Sequence, residues 1–202
     1  MNIKFVVMVS PIEERRQNVE LLKQQIPDLI CVEADRSKCD LFTVYLSLLD
    51  CEGYDGLVMI EDDVKLCNGF LEKIAEKISE HSTDVIQFFT RALSKRLTRG
   101  YKRGGEFSST VCNYYPASFC KMLQNEEYIK YFKEEYYPKR NEPWTYPIDT
   151  YIAFVLGYNK MQHWLELPFL VQHLALKSTL GNRSTKRQSI YFIDDMEGGQ
   201  ND

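Results

Sequence analysis

The unbroken apolar run after Lys4, Phe5-Val6-Val7-Met8-Val9, constrains the fold more than any other stretch of the chain. Alternating apolar and polar residues would mark a strand with one wet face. A continuous β-branched run marks a strand covered on both faces, as inside a parallel sheet. Parallel strands need a crossover, usually a helix, and the next residues supply one. After a turn at Ser10-Pro11, the apolar residues Val19, Leu22 and Ile26 recur at helical spacing, with Glu13 and Glu14 in the first turn and Pro27 beyond the end. That spacing predicts a helix over 13–25. A short strand over 29–32, an apolar helix over 41–49 and a third apolar strand over 56–60, ending at Glu61, continue the pattern. The order β-α-β-α-β predicts the α/β class, with a doubly wound, Rossmann-type, mostly parallel sheet and helices on both faces.

Further along, the patterns predict an amphipathic helix over 70–78, a strand over 85–89, a helix over 118–123 after Pro116, a helix over 149–156 before Gly157, and a strand over 169–172 leading to His173. The stretch 91–105 is basic, glycine-punctuated and poorly periodic, and reads as a loop or loosely held hairpin. A length of 202 residues suits a single domain over 1–193, with the acidic, glycine-containing 194–202 as a flexible tail. An apolar share of 44% excludes a disordered chain, and a net charge of -4 gives no general attraction to nucleic acid or anionic membrane. No apolar run approaches the roughly 18 residues of a transmembrane helix, and the opening ten residues do not make a signal peptide. The six cysteines form no C-x-x-C pair, which argues against a zinc knuckle. Without an export signal they read as free thiols, and the chain as cytoplasmic.

In a doubly wound sheet, ligands bind beyond the carboxyl ends of the strands. Ser10-Pro11, Ala34-Asp35-Arg36 and Glu61-Asp62-Asp63 are therefore expected to converge on one crevice. An apolar strand running straight into three carboxylates is costly unless the acids face water or a cation. Hard divalent ions such as Mg²⁺ and Mn²⁺ prefer such oxygens and bind phosphates at the same time. The plainer alternative is an acidic strand-end turn in which Asp62 or Asp63 caps the next helix.

The strand with Glu61-Asp62-Asp63-Val64 resembles the D-x-D element of glycosyltransferases of the GT-A fold, in the E-D-D form used by the lipooligosaccharide glycosyltransferases and related families. The resemblance implies a nucleotide-sugar donor, with UDP as the nucleotide, and a Mn²⁺ or Mg²⁺ ion ligated by Asp63. Glu61 is then placed near the ribose or the sugar, with Asp62 between them in the donor site. The opening Ser10-Pro11-Ile12-Glu13-Glu14-Arg15-Arg16 is similar to the loop that meets the nucleotide in these enzymes, which implies donor contacts from Ser10, Pro11 and Arg15. Asp35 then accepts a hydrogen bond from the base or ribose, unless it is a cap. The stretch 113–123 resembles the floor beneath the donor sugar. Asp149, at a helix start behind Trp144-Thr145-Tyr146-Pro147, matches the position of the general base of inverting members, although isoleucine precedes it where many relatives carry a second acid. His173 matches a late histidine that completes the metal site, and Lys177 and Arg183, with Ser178 and Lys186, match a loop that closes over the diphosphate. The acceptor implied is a hydroxyl of a glycan or of a modified nucleic acid.

Two rival classes remain. One is a nucleic-acid-binding protein that uses the 91–103 run, with Arg91, Lys95, Arg96, Arg99, Lys102 and Arg103 on phosphates and Tyr101 stacking. The other is a metal-dependent nucleotidyl- or phosphotransferase on the same acids. The second usually has a phosphate-cradling glycine loop, and neither G-x-x-x-x-G-K-[ST] nor G-x-G-x-x-G occurs here.

Overall fold

The computed structural model describes residues 1–90, 97–138, 147–174, 176 and 189–193. Arg91, Lys95 and Arg96 of the basic run, the aromatic stretch Trp144-Thr145-Tyr146, the closing-loop residues Lys177, Ser178, Arg183 and Lys186, and the tail 194–202 lie outside them.

The chain begins β1 (Ile3–Val9), α1 (Glu13–Gln25), β2 (Ile30–Glu33), α2 (Leu41–Leu48) and β3 (Gly56–Glu61). It continues with β4 (Val64–Leu66), α3 (Phe70–Glu80), β5 (Ile86–Gln87), β6 (Gly100–Arg103) and a 3₁₀ turn over Gly104–Glu106. Then come β7 (Cys112–Pro116), α4 (Ala117–Leu123), α5 (Glu126–Tyr131) with a π turn over Phe132–Tyr136, α6 (Ile148–Tyr158), β8 (Gln162–Leu165) and β9 (Val171–His173). Seven strands make one sheet in the order β2-β1-β3-β7-β5-β8-β6, while β4 and β9 pair by themselves. In the large sheet β2, β1, β3, β5 and β8 run one way, and β7 and β6 oppose them. This is the mixed, mostly parallel, Rossmann-like α/β sheet that the β-α repeats predict, and it is consistent with the GT-A fold that the resemblance implies.

The continuous apolar strands are explained by two cores, one on each face. Val7, Val9, Val58, Ile60 and Tyr114 face α1 and α3. Their neighbours Val6, Leu57, Met59 and Tyr115 face α2, α4 and α6. Because side chains alternate along a strand, burial on both sides leaves no position for a polar residue in 5–9 of β1 or 57–60 of β3. Gly56 opens β3 for a steric reason: a Cβ there would run into the Tyr114 ring, 2.8 Å from its Cζ. That ring crosses the start of β3 to hydrogen-bond its hydroxyl to the Ser82 carbonyl at 2.9 Å.

Several boundaries differ from the sequence expectations. The strand expected over 85–89 narrows to Ile86–Gln87, and the last strand shifts to Val171–His173, with Phe169 bridging Phe192 instead. Part of the basic run, expected to be a loop or loosely held hairpin, is an edge strand, since β6 pairs antiparallel with β8. Cross-strand packing supplies the order there: Tyr101 meets Trp164 edge to face at 5.1 Å, and the Arg99 guanidinium lies 5.4 Å from the same ring. The stretch expected to form a donor floor is the central strand β7 with α4 after it, and every residue of β7 is buried. The six cysteines make no disulfide among the described residues, and no described helix is long and apolar enough to cross a membrane.

His163 of β8 is 1% exposed, and neither ring nitrogen has a hydrogen-bond partner among the described residues. Burial lowers its pKa from the ordinary 6.5 to about 4. The unfolded chain therefore takes up this proton as pH falls below 6.5 while the folded chain does not, so stability is lost between pH 6.5 and about 4. Urea unfolding at pH 7 and pH 5 should show His163→Phe retaining about 2 kcal/mol more than the wild type over that interval. Parallel losses in the two proteins would remove His163 as the cause.

Candidate active site

β1 is flanked by β2 on one side and β3 on the other. The connection after β1 leads outward to β2 and that after β3 leads away from it, so the carboxyl ends of β1 and β3 form the switch point at which such sheets bind ligands. Ser10 comes directly after β1, Glu61 ends β3, and Asp62 and Asp63 form the turn between β3 and β4.

Asp62 is 3% exposed and fully engaged. The Ser10 N–H donates to its Oδ2 at 2.7 Å, the Ser10 hydroxyl donates to the same oxygen, and Arg15 Nη1 donates to Oδ1. Arg15 Nη2 donates to Asp63 Oδ2 at 2.6 Å, so one guanidinium bridges two buried carboxylates. Asn18 Nδ2 donates to the Asp62 and Val64 carbonyls at 3.0 and 2.8 Å. The Thr110 hydroxyl donates to Glu61 Oε1 at 2.6 Å, and the Glu61 N–H donates to the Val111 carbonyl.

His173 arrives from the other end of the chain. β9 lies antiparallel to β4 with Val64 opposite His173, and the Leu174 N–H donates to the Asp63 carbonyl at 2.7 Å. This register puts His173 Nε2 3.3 Å from Asp63 Oδ2. One donor atom each from Glu61, Asp63 and His173 lie within 4.8 Å of one another, with Asp63 and His173 buried and Glu61 half-buried. Two carboxylates and an imidazole at this spacing could hold a metal ion.

The remaining sequence candidates are dispersed. Pro11 is exposed beside Ser10. Asp35 holds its own turn, accepting from the Ser37 N–H and hydroxyl at 2.9 and 2.7 Å and pairing with Lys38 at 3.0 Å. The Ser37 hydrogen bonds, helped by Lys38, lower its pKa to about 2. Arg16 pairs with Glu33 at the surface. Asp149 sits in the first turn of α6, and its Oδ1 accepts from the Thr150 N–H at 2.8 Å. The Tyr45 hydroxyl donates to Tyr115 at 3.0 Å, and its pKa is raised by burial first and then by charges that include Glu61 and Asp149. Lys177 and Arg183 lie outside the described residues.

Asn18 and Thr110 escaped the sequence reading. A signal for Asn18 was present: the buried stripe of α1 runs Arg15, Asn18, Val19, Leu22, so two polar residues head an otherwise apolar face. At helical spacing that means the head of the face meets something polar. Thr110 had no comparable signal, because its partner Glu61 is distant in sequence.

No protein-family model matches the chain, and no curated protein matches it significantly. Among solved structures, A197 from STIV is similar over 100% of this chain and 99% of its own, with 12% identity and a TM-score of 0.51. That likeness is one of fold. Residues 1–349 of S. aureus TarS give a TM-score of 0.45 at 10% identity, over 95% of this chain and 60% of that one.

Asn18 satisfies two carbonyls of the acidic turn at once, so Asn18→Ala should cost about 2 kcal/mol in urea unfolding with an unchanged m-value. A loss below about 0.5 kcal/mol would mean that the turn holds its shape without it.

Proposed function

We propose that this chain is a metal-dependent glycosyltransferase that moves a sugar from a nucleotide-diphosphate sugar, with UDP as the nucleotide, to a hydroxyl of a glycan or other acceptor. The observation that carries the proposal is the convergence of Glu61, Asp63 and His173 at the carboxyl-end switch point between β1 and β3. The resemblance of Glu61-Asp62-Asp63-Val64 to the E-D-D form of the D-x-D element points the same way.

In this reading Asp63 and His173, with Glu61 beside them, hold Mn²⁺ or Mg²⁺, and such an ion offsets negative charge on the departing nucleoside diphosphate. Ser10, Pro11 and Asp35 border the nucleotide, and Lys177 and Arg183 supply further countercharge to the phosphates. Asp149 accepts the proton of the acceptor hydroxyl as its oxygen bonds to the anomeric carbon and the bond from that carbon to the phosphate oxygen breaks, with inversion. Opposition of an acceptor and a leaving diphosphate requires a basic group apart from the metal cluster. Asp149, in the first turn of α6, stands on a different element from Glu61 and Asp63.

Among the described residues of the nucleic-acid reading, Arg103 is exposed and three others have partners within the fold. Arg99 pairs with Glu80 and Glu166, Tyr101 donates to Asp84, and Lys102 donates to Thr98.

Calorimetric titration of UDP should show binding with Mn²⁺ that EDTA abolishes and that Asp63→Ala weakens at least about 100-fold, with circular dichroism unchanged. Absence of nucleoside-diphosphate binding to the wild type in the presence of Mn²⁺ would sink the proposal. Asp149→Asn should keep Mn²⁺-dependent nucleotide binding and lower transfer or donor hydrolysis by about 10²-fold or more. Weakened nucleotide binding in that variant, with turnover intact, would assign Asp149 to the donor site instead.

A further inference from the structure

Arg15 is a cation built into the acidic cluster, and its geometry bears on metal loading. Its guanidinium is buried, with Nη1 on Asp62 and Nη2 2.6 Å from Asp63 Oδ2. That Asp63 oxygen is also the one 3.3 Å from His173 Nε2. A guanidinium keeps its charge at any accessible pH and donates in a fixed fork. Arg15 and a divalent ion therefore seek the same carboxylate, and a guanidinium that stays nearby repels the incoming charge.

We propose that Arg15 is a tethered competitor of the metal: it neutralises Asp63 when no divalent ion is bound and yields that oxygen when one arrives. This positioning role rests on the metal-dependent reading above. Asp62 makes the exchange possible without expelling the arm. Its Oδ2 is pinned by two bonds from Ser10, so its Oδ1 remains a fixed anchor for Nη1 after Nη2 lets go. An arm anchored on Asp62 and released from Asp63 has donors to offer the nearest new anion, and the class of anion that would arrive with the metal is a diphosphate. The cluster is consequently tuned to bind metal weakly alone and more tightly together with a nucleoside diphosphate.

The test uses the full chain, with Arg15→Gln and Arg15→Lys beside the wild type and Asp63→Ala as control. Free Mn²⁺ is read by its paramagnetic resonance signal, with and without UDP, and thermal unfolding is followed with and without Mn²⁺. Without UDP, Arg15→Gln should bind Mn²⁺ at least about tenfold more tightly than the wild type, since one nearby positive charge is gone. Its melting temperature should be lower than that of the wild type in EDTA and should rise further on adding Mn²⁺. UDP should narrow the difference in Mn²⁺ affinity. Arg15→Lys, which keeps the charge but cannot bridge both acids, should fall between the two, and it carries the comparison if Arg15→Gln folds only with metal. Equal or weaker Mn²⁺ binding by Arg15→Gln, with binding by the wild type and none by Asp63→Ala, overturns the role of Arg15 and leaves the metal site standing. If neither the wild type nor either Arg15 variant binds Mn²⁺, the metal reading falls and this inference with it.

Discussion

Two adjacent carboxylates held out of water at the end of a buried strand cannot both stay ionised without a positive partner, and the arrangement around β3 obeys that constraint. Asp62 and Asp63 are both buried, so their charges are weakly screened and their desolvation is expensive. One fork-shaped side chain resolves the conflict, because Arg15 reaches both acids. For it to do so, α1 must present the head of its buried face to the acidic turn, and Asn18 on the same face ties that helix to the turn's carbonyls. Ser10, the first residue after β1, closes the other side of Asp62. The position of α1 on the sheet is thus fixed by apolar packing along Val19 and Leu22 and by ionic bonding at its start.

The same site depends on the sheet being interrupted. β7 runs against its neighbours β3 and β5, so the sheet's centre carries one reversed strand between two sets that run the other way. The loop that enters β7 consequently lies at the end where β3 finishes. Thr110 and Val111 in that loop take up the side chain and backbone of Glu61. A parallel strand in this place would bring its exit, not its entrance, to the acids.

Much of this was legible in the chain. Unbroken apolar runs announced β1 and β3, and the 3.6-residue spacing of Val19, Leu22 and Ile26 announced α1 with its bounds. These signals are local, since a strand covered on both faces or a helix on one records its surroundings in its own composition. Where pairing alone imposes order, nothing local records it. β6 reads as a basic loop because its solvent-edge position tolerates lysine and arginine, and its partner β8 lies far along the chain. For the site, the acidic triplet and the family resemblance marked Glu61, Asp63 and His173, while Arg15 at the head of the apolar face of α1 signalled a polar partner without saying that it would be Asp62 and Asp63. An arginine near a helix start is equally at home in water, as Arg16 is beside Glu33.

The little β4–β9 sheet bears on the order of assembly. It is only three residues wide on each side, yet its register brings His173 to Asp63. The acids, Ser10, Arg15 and Asn18 all belong to the first third of the chain, and the bonds among them already span 44 to 52 residues. The histidine can join only when Val171 to His173 has travelled back across the fold to meet Val64 to Leu66. The loop that must close to bring His173 to Asp63 is longer than any that joins Ser10, Arg15 or Asn18 to the acids, so the histidine keeps its place only while β9 stays docked on β4.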